Sequence, residues 1–157
     1  MATSDYLRDA RIVVVGAGAI GAALTYRLAQ AGAQVTTVER RFPGSGTTGS
    51  TFAYVNGTDK PPRTSHRLNL LAIRDHEDLA DEIGGDWLHV TGSLHWAAAA
   101  DGARSVALGH AMRRLLDWGM RVDRCSPDQA MRELEPDAWI DPQAVETVYR
   151  VHRAGWL

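Results

Sequence analysis

Three glycines near the start of the chain have the spacing of residues that hold a dinucleotide pyrophosphate. Gly16, Gly18 and Gly21 form a GxGxxG run directly after the apolar segment 12–15. The first glycine permits a sharp turn out of a strand, the second leaves room for a phosphate, and the third lets a helix pack close to the strand. The unpaired N–H groups that begin such a helix attract phosphate. Gly16, Gly18 and Gly21 are therefore predicted to accommodate the phosphates.

An acidic residue follows at the distance expected of a ribose ligand. Glu39 closes a second apolar segment, residues 35–38, eighteen positions after Gly21. Its carboxylate can accept hydrogen bonds from ribose hydroxyls, which favours a free 2′-OH over a 2′-phosphate. The order of strand, glycine turn, helix, strand and carboxylate therefore predicts dinucleotide binding rather than a glycine turn of structural use alone.

A βαβ unit is needed to position these residues, and the pattern around them predicts one. Residues 12–15 and 35–38 are rich in β-branched side chains and predict two parallel strands. Apolar residues at helical spacing predict the helix between them, and Gly32 is its expected C-cap. Residues 40–63, which are rich in glycine, proline and threonine, predict a loop.

The rest of the chain alternates between amphipathic helices and short strands. Gly84 and Gly119 are expected to end two of the helices, and Ser126 is expected to cap a third, with Gln129 completing a capping box. The predicted helices are 65–83, 101–118 and 126–134, and the predicted strands are two within 87–96 and one at 120–122.

Composition narrows the classes of function. The net charge is −2 and no run of like charge suggests nucleic acid. Residues 1–11 are short and polar, unlike a signal peptide, and no apolar stretch is long enough to span a membrane. One cysteine, Cys125, excludes an intrachain disulfide and a CxxC pair, which fits a cytoplasmic protein. The six histidines lack zinc-ligand spacing, so no metal site is expected.

Three side chains with reactive groups are predicted to be structural. His66 follows the loop and is expected at the surface, although it lies close enough in sequence to approach a cofactor. His95 lies in an alternating strand and is expected to pack there rather than to touch a substrate. Cys125 is expected to be a half-buried, unreactive thiol, because nothing near it in the sequence would lower its pKa.

The chain resembles the FAD-dependent oxidoreductases of the D-amino-acid oxidase superfamily, which includes glycine oxidase, sarcosine oxidase and amino-acid dehydrogenases. The specific matches are residues 11–40 and 45–56, and the weaker ones are 92–96 and 126–136. The resemblance implies an α/β fold. It comprises a Rossmann-like FAD-binding βαβ unit with an incomplete parallel sheet, and part of an α+β substrate domain. The implied domains are residues 1–85 and 86–157.

The resemblance also implies FAD as the cofactor and a role for each matching residue. Gly16, Gly18 and Gly21, together with Ala19 and Ile20, would hold the pyrophosphate. Glu39 would hold the adenosine ribose, and Arg40 would lie beside the adenine. A second set of residues would follow the pyrophosphate towards the flavin: Gly46, Thr47, Thr48, Ser50 and Thr51. The substrate implied is a small amine or amino acid that loses a hydride from the carbon bearing nitrogen. No catalytic residue is assigned within these 157 residues.

The length departs from the family, whose members are commonly more than twice as long. Two parallel strands leave a sheet with open edges. We therefore expect an N-terminal fragment, or a subunit that a second chain completes, inactive by itself. Two alternatives stay open. One is an NAD-dependent dehydrogenase with the same fingerprint, although the glycine- and threonine-rich loop favours FAD. The other is a non-catalytic nucleotide-binding subunit or remnant of a heteromeric dehydrogenase.

Overall fold

The computed structural model describes residues 6–58 and 60–157. The chain forms two compact units, the first ending at Phe52 and the second running from Ala53 to Leu157. Small parallel and antiparallel sheets combine with helices, as the predicted α/β class requires. The division into a cofactor domain and a substrate domain after residue 85 stays a prediction.

The first unit contains the predicted βαβ arrangement. Strand β1 (Arg11–Val15) and strand β2 (Gln34–Val38) pair in parallel, and helix α1 (Ala19–Gln30) connects them. Parallel neighbours need such a crossover because the end of one strand and the start of the next lie at opposite edges of the sheet. Gly32 follows the last turn of the helix with φ at +90°, a conformation that glycine adopts without the steric cost of a side chain.

The two faces of this small sheet differ in exposure. Val14 is buried, whereas its neighbours Val13 and Val15 are 64% and 85% exposed. Successive residues of a strand point to opposite faces, so the exposed pair lies on one face together. Helix α1 contributes no fully buried side chain. The first unit therefore leaves apolar surface exposed in this chain.

The segment predicted as one loop, residues 40–63, contains two short elements, so that prediction is wrong in part. A single 3₁₀ turn covers Thr47–Ser50, and strand β3 covers Tyr54–Asn56. Strand β3 exists because it pairs with the end of the chain, with Tyr54 opposite Trp156. A partner so distant in sequence leaves no local signal.

The second unit contains three further helices and four further strands. Helices α2 and α3 lie close to their predicted bounds, while α4 is brief and continues as a π-helical turn over Ala130–Leu134. In chain order the elements are α2 (Arg63–Ile83), β4 (Ser93–Trp96), α3 (Gly102–Asp117), β5 (Val122–Cys125), α4 (Pro127–Gln129), β6 (Val148–Val151) and β7 (Ala154–Trp156). The antiparallel sheet has the order β4–β6–β5.

The observed strand pairing corrects two predictions about strands and adds two strands that were not predicted. Of the two strands expected within 87–96, only the second forms, and the first is reduced to a bridge between His89 and Trp156. The strand expected at 120–122 instead begins at Val122, because pairing with β6 selects that register. The sequence did not predict β6 or β7, since neither forms without its distant partners.

Strand β6 lies at the centre of the second unit's core. Its residues Val148 and Val151 have no exposed surface, and each belongs to a different hydrophobic cluster. One cluster surrounds α3 and the other follows α4. The members of the two clusters are Met112, Leu115, Met120 and Val151, and then Ala130, Ile140, Val145 and Val148.

The predicted cap of α4 is confirmed in its main contact. The Gln129 N–H donates to Ser126 Oγ at 3.1 Å. The reciprocal bond of a capping box, from the Ser126 N–H to the Gln129 side-chain oxygen, does not form between these described residues. The Gln129 amide nitrogen donates to Glu133 Oε2 at 3.0 Å. Across the described ranges, no helix is both long and apolar enough to cross a membrane.

Candidate functional site

The glycine turn after β1 has a geometry that only glycine suits. Gly16 has φ at +99°, and its N–H donates to Val38 O at 2.8 Å, which ties the turn to β2. A Cβ on Gly21 would overlap Gly16 O, so any side chain there would push the helix away from the turn. The predicted reason for both glycines, a sharp turn and a close helix, agrees with this geometry.

The start of helix α1 presents N–H groups beside the turn. Gly18 is the cap residue, and the Ala19 N–H donates to Thr48 Oγ1 at 3.0 Å. The following N–H groups, of Ile20 and Gly21, lie in the first turn, where no carbonyl of the helix can reach them. Together with the helix dipole, they form a place for a negatively charged group.

Glu39 lies against this turn and is held by two backbone donors. The Ala17 N–H donates to Glu39 Oε2 and the Arg41 N–H to Oε1, both at 2.9 Å. The Ala17 contact, and then the Arg41 contact, lower the pKa of this carboxyl group below its ordinary value. Each carboxylate oxygen keeps a second lone pair, so hydroxyl groups of a ligand can still donate to it.

The polar loop returns to the glycine turn through one threonine and one glycine. The Gly44 N–H donates to Ala17 O at 2.9 Å. A Cβ on Gly18 would lie 3.1 Å from Thr48 Oγ1, so that hydroxyl leaves little space for a side chain. The structure thus brings together residues far apart in sequence: Gly16, Gly18, Ala19, Ile20, Gly21, Glu39 and Thr48.

The other predicted loop residues are exposed, and their cofactor contacts stay predictions. Arg40 lies next to Glu39, and its charge contributes to the lowered pKa of that carboxyl group. The exposed members of the loop set are Gly46, Thr47, Ser50 and Thr51. Sequence reasoning missed Ala17 and Gly44, whose backbone groups hold the site together. The position of Ala17 between two glycines of the fingerprint was the available signal.

The prediction that His66 lies at the surface is wrong. His66 is 2% exposed, and its Nδ1 hydrogen-bonds Gly57 O at 2.6 Å. Its ring packs against Trp118 with 4.9 Å between ring centroids. Helix α2 turns this side chain inwards, and neither contact is visible from neighbouring residues in the sequence.

The other two side chains singled out behave structurally. His95 Nε2 lies 2.8 Å from Ser93 Oγ on the same strand. The Cys125 thiol is half-buried, and burial, reinforced by the charge of Glu133, raises its pKa. A raised pKa disfavours the reactive thiolate, which agrees with the prediction of an unreactive thiol. The described residues include no group of three or more metal-ligating side chains that could hold an ion.

The family is decided by a match that covers residues 11–157, to the family described as FAD dependent oxidoreductase, or DAO. This chain belongs to that family. The expected resemblance is therefore confirmed, and FAD is the cofactor of the family. No curated protein matches this chain at a significant level.

Several solved structures have a similar fold. One is glycine oxidase from Geobacillus kaustophilus, with a TM-score of 0.75 and 23% identity. The match covers 94% of this chain and 40% of the glycine oxidase chain. L-amino acid deaminase from Proteus vulgaris has a TM-score of 0.69 and 18% identity, with 96% of this chain and 35% of its own covered. A modified fructosyl peptide oxidase from Aspergillus nidulans has a TM-score of 0.67 and 19% identity, with coverage of 95% and 36%.

These similarities show the shared fold, and they also define how much of it is present. The chain spans between 35% and 40% of the length of these three proteins. Its first unit is consistent with a partial Rossmann-like unit. The glycine turn, the free donors at the start of α1 and the Glu39 carboxylate are the donor and acceptor set that a dinucleotide requires, so the residues present fit FAD.

Proposed function

We propose that this chain is the FAD-binding N-terminal part of an oxidoreductase that acts on the CH–NH group of an amino acid or amine. The observation that carries the proposal is the convergence of Gly18, Glu39 and Thr48 at the start of helix α1. Three proteins of similar fold are named as an oxidase or deaminase of glycine, of L-amino acids and of fructosyl peptides. Each substrate in these names contains an amine group, which supports that substrate class.

Each part of the site has a separate task in this proposal. The N–H groups of Ile20 and Gly21 would bind the pyrophosphate, and Glu39 would accept hydrogen bonds from the adenosine ribose. Arg40 would lie beside the adenine. The loop would extend from Thr48 towards the flavin, and the remaining loop contacts would be made by Gly46, Thr47, Ser50 and Thr51. When bound, FAD supplies the acceptor for the hydride that leaves the amine-bearing carbon.

We further propose that additional polypeptide covers the first unit and completes the active site. Val13 and Val15 are mostly exposed on one face of the sheet, and Val38 is 50% exposed beside them. Exposed apolar faces of this kind are typical of surfaces that another segment covers. The segment could come from a longer form of this chain or from a second chain. Without that segment, we expect the chain to bind FAD but not to oxidise amines. The proposed location of the protein is the reducing cytoplasm.

A second candidate is a non-catalytic nucleotide-binding subunit, which the same exposed face favours. An NAD-dependent dehydrogenase is a weaker alternative because the family match is to FAD-dependent proteins. An assay of the chain assembled with its completing polypeptide distinguishes the oxidoreductase from the non-catalytic subunit. Amine oxidation by the assembled protein would support the oxidoreductase, whereas flavin binding without oxidation of any amine would support the non-catalytic subunit.

A visible absorption spectrum of the purified chain, with and without added FAD, tests cofactor binding. We expect a bound flavin spectrum that Gly18→Val abolishes, because the new side chain would fill the space beside Thr48 Oγ1. Gly102→Ala is the control, since a Cβ at Gly102 has no atom within 4 Å. Unchanged flavin content in Gly18→Val would contradict the site. A wild-type chain that ignores FAD would contradict cofactor binding by this part alone.

A further inference from the structure

The beginning of helix α2 borders a cleft of about 480 Å³ in the second unit. Its walls combine cationic, polar and apolar side chains, and the family resemblance assigned none of them a role. The lining residues are Arg63, Thr64, His66, Arg67, Leu70 and Trp118. All six lie within the second unit, so the cleft can be considered by itself.

One atom of this cleft lacks the hydrogen bond that its burial requires. His66 is 2% exposed, and its Nε2 has no hydrogen-bond partner among the described residues. Because the Gly57 carbonyl can only accept, the Nδ1 of His66 carries the proton and donates to it at 2.6 Å. The Nε2 of the neutral ring is then an acceptor without a donor. Buried polar atoms almost always have a partner, so a missing group is indicated.

Positive charge surrounds the same cleft. Arg63 and Arg67 lie one helical turn apart on α2, so their side chains share one face. Neither takes part in an ion pair within residues 6–58 and 60–157. The helix begins after Pro62, whose side chain makes no capping hydrogen bond, so the N–H groups of its first turn add to the positive potential. An oxyanion would match both the charge and the donors.

We propose that this cleft binds a small oxyanion that also carries a hydrogen-bond donor. The guanidinium groups of Arg63 and Arg67 contact the anionic oxygens, and an O–H or N–H of the same molecule donates to His66 Nε2. Hydrogen phosphate has both features, as does an amino acid with its carboxylate and ammonium groups. Leu70 and Trp118 provide an apolar wall beside them. Binding here is independent of FAD and of the proposed oxidoreductase activity.

Nitrogen NMR of the histidine rings in the full chain tests the proposal directly. The titrants are inorganic phosphate, glycine and acetate, at constant ionic strength. We expect a saturable shift of the His66 Nε2 resonance with phosphate or glycine. Acetate, which has acceptors only, should bind at least about tenfold more weakly. The stronger of the first two titrants identifies the source of the oxyanion.

Paired variants assign the binding to the cleft. The double variant R63Q/R67Q should weaken binding at least about tenfold, because two charge-assisted contacts are lost. Arg74→Gln, an exposed position on the same helix, is the matched control and should bind as the wild type does. Equal weakening in the control would indicate an adventitious ion only and overturn the proposal. So would equal acetate binding, or the absence of any shift at His66.

His66→Phe supplies an independent arm, since phenylalanine keeps a ring against Trp118 but has no Nε2. We expect the variant to lose the preference for phosphate or glycine over acetate. A preference that persists would overturn the role of His66. If this variant fails to fold, the wild-type Nε2 titration and the arginine pair still decide the outcome, because neither depends on replacing the histidine.

Discussion

Different interactions stabilise the interior of each of the two units of this chain. In the described part of the first unit, Val14 is the single buried hydrophobic side chain, and the defined contacts are backbone and hydroxyl hydrogen bonds around the glycine turn. The second unit contains the two hydrophobic clusters, which meet at strand β6. The structure of the first unit therefore depends on the hydrogen bonds around the glycine turn, and that of the second on the packing of apolar side chains.

This difference indicates where each unit obtains its stability. Burial of apolar surface is the main favourable term in folding, and the first unit has little of it. A ligand that binds only the folded form adds stability in proportion to the logarithm of its concentration relative to Kd. FAD should therefore stabilise the first unit more than the second. The predictions below test this contrast, from the largest expected effect to the smallest.

Truncation of a core leucine should reveal the largest difference in stability between the two units. Leu115 is 2% exposed in the cluster around α3, and Leu115→Ala should reduce the free energy of unfolding by about 2–5 kcal/mol. Leu24→Ala is the matched control on α1, where the side chain is 48% exposed, and should change it by less than about 0.5 kcal/mol. Urea denaturation measures both. Equal losses would refute the contrast between the units.

Crowding at the glycine turn should affect cofactor binding. Gly21→Ala places a Cβ against Gly16 O, and relief of that overlap moves the helix start. Overpacking typically costs about 1–3 kcal/mol, so FAD affinity should fall by about tenfold to a hundredfold. Flavin fluorescence titration measures the affinity, with Gly102→Ala as the control. An unaltered affinity would mean that the turn does not position the cofactor.

Loss of the α4 cap should have a smaller effect that is confined to the second unit. Ser126→Ala removes the acceptor of the Gln129 N–H and should lower stability by about 0.5–2 kcal/mol. Ser126→Thr should retain most of the wild-type stability. Ser105→Ala, at an exposed position within α3, is the control for a serine-to-alanine change that removes no helix cap. FAD affinity should stay the same in all three variants, and a reduced affinity would count against separate roles for the units.

Acidification should weaken the glycine turn slightly through Glu39. Since backbone donors lower the pKa of this carboxyl group in the folded chain, folding favours its ionised form. Its contribution is complete above the ordinary value of 4.5 and declines as the pH falls through the lower folded pKa. Glu39→Gln should reduce the dependence of thermal stability on acidic pH, whereas Glu146→Gln at an exposed site should not. Identical pH profiles would contradict the contacts of Glu39.

Much of the candidate site could be predicted because its signals are local. The glycines of the turn lie within six residues, and Glu39 follows one helix later, so a βαβ unit accounts for their spacing. Helices α2 and α3 were also predictable, since each has a continuous periodic pattern and a glycine at or just beyond its end. Capping by Ser126 was predictable for the same reason, because donor and acceptor are three residues apart.

The remaining features depend on partners that are distant in the chain. Thr48 was predicted to contact the cofactor, but its hydrogen bond to the Ala19 N–H was not foreseen. His66 was expected at the surface because it follows a loop, whereas its burial depends on contacts with Gly57 and with Trp118, which is distant in sequence. The unpartnered Nε2, and with it the cleft of α2, could therefore be found only in the folded chain.

The sequence by itself determined the glycine turn, the crossover helix and the acidic strand end, because those depend on steric and hydrogen-bonding rules that act over a few residues. It also determined the family, whose match covers residues 11–157. Tertiary structure alone decided where β6 and β7 lie, which strand register β5 adopts and that His66 is buried. Strand pairing and core packing join residues far apart in sequence, so their outcome depends on the whole fold rather than on any one segment.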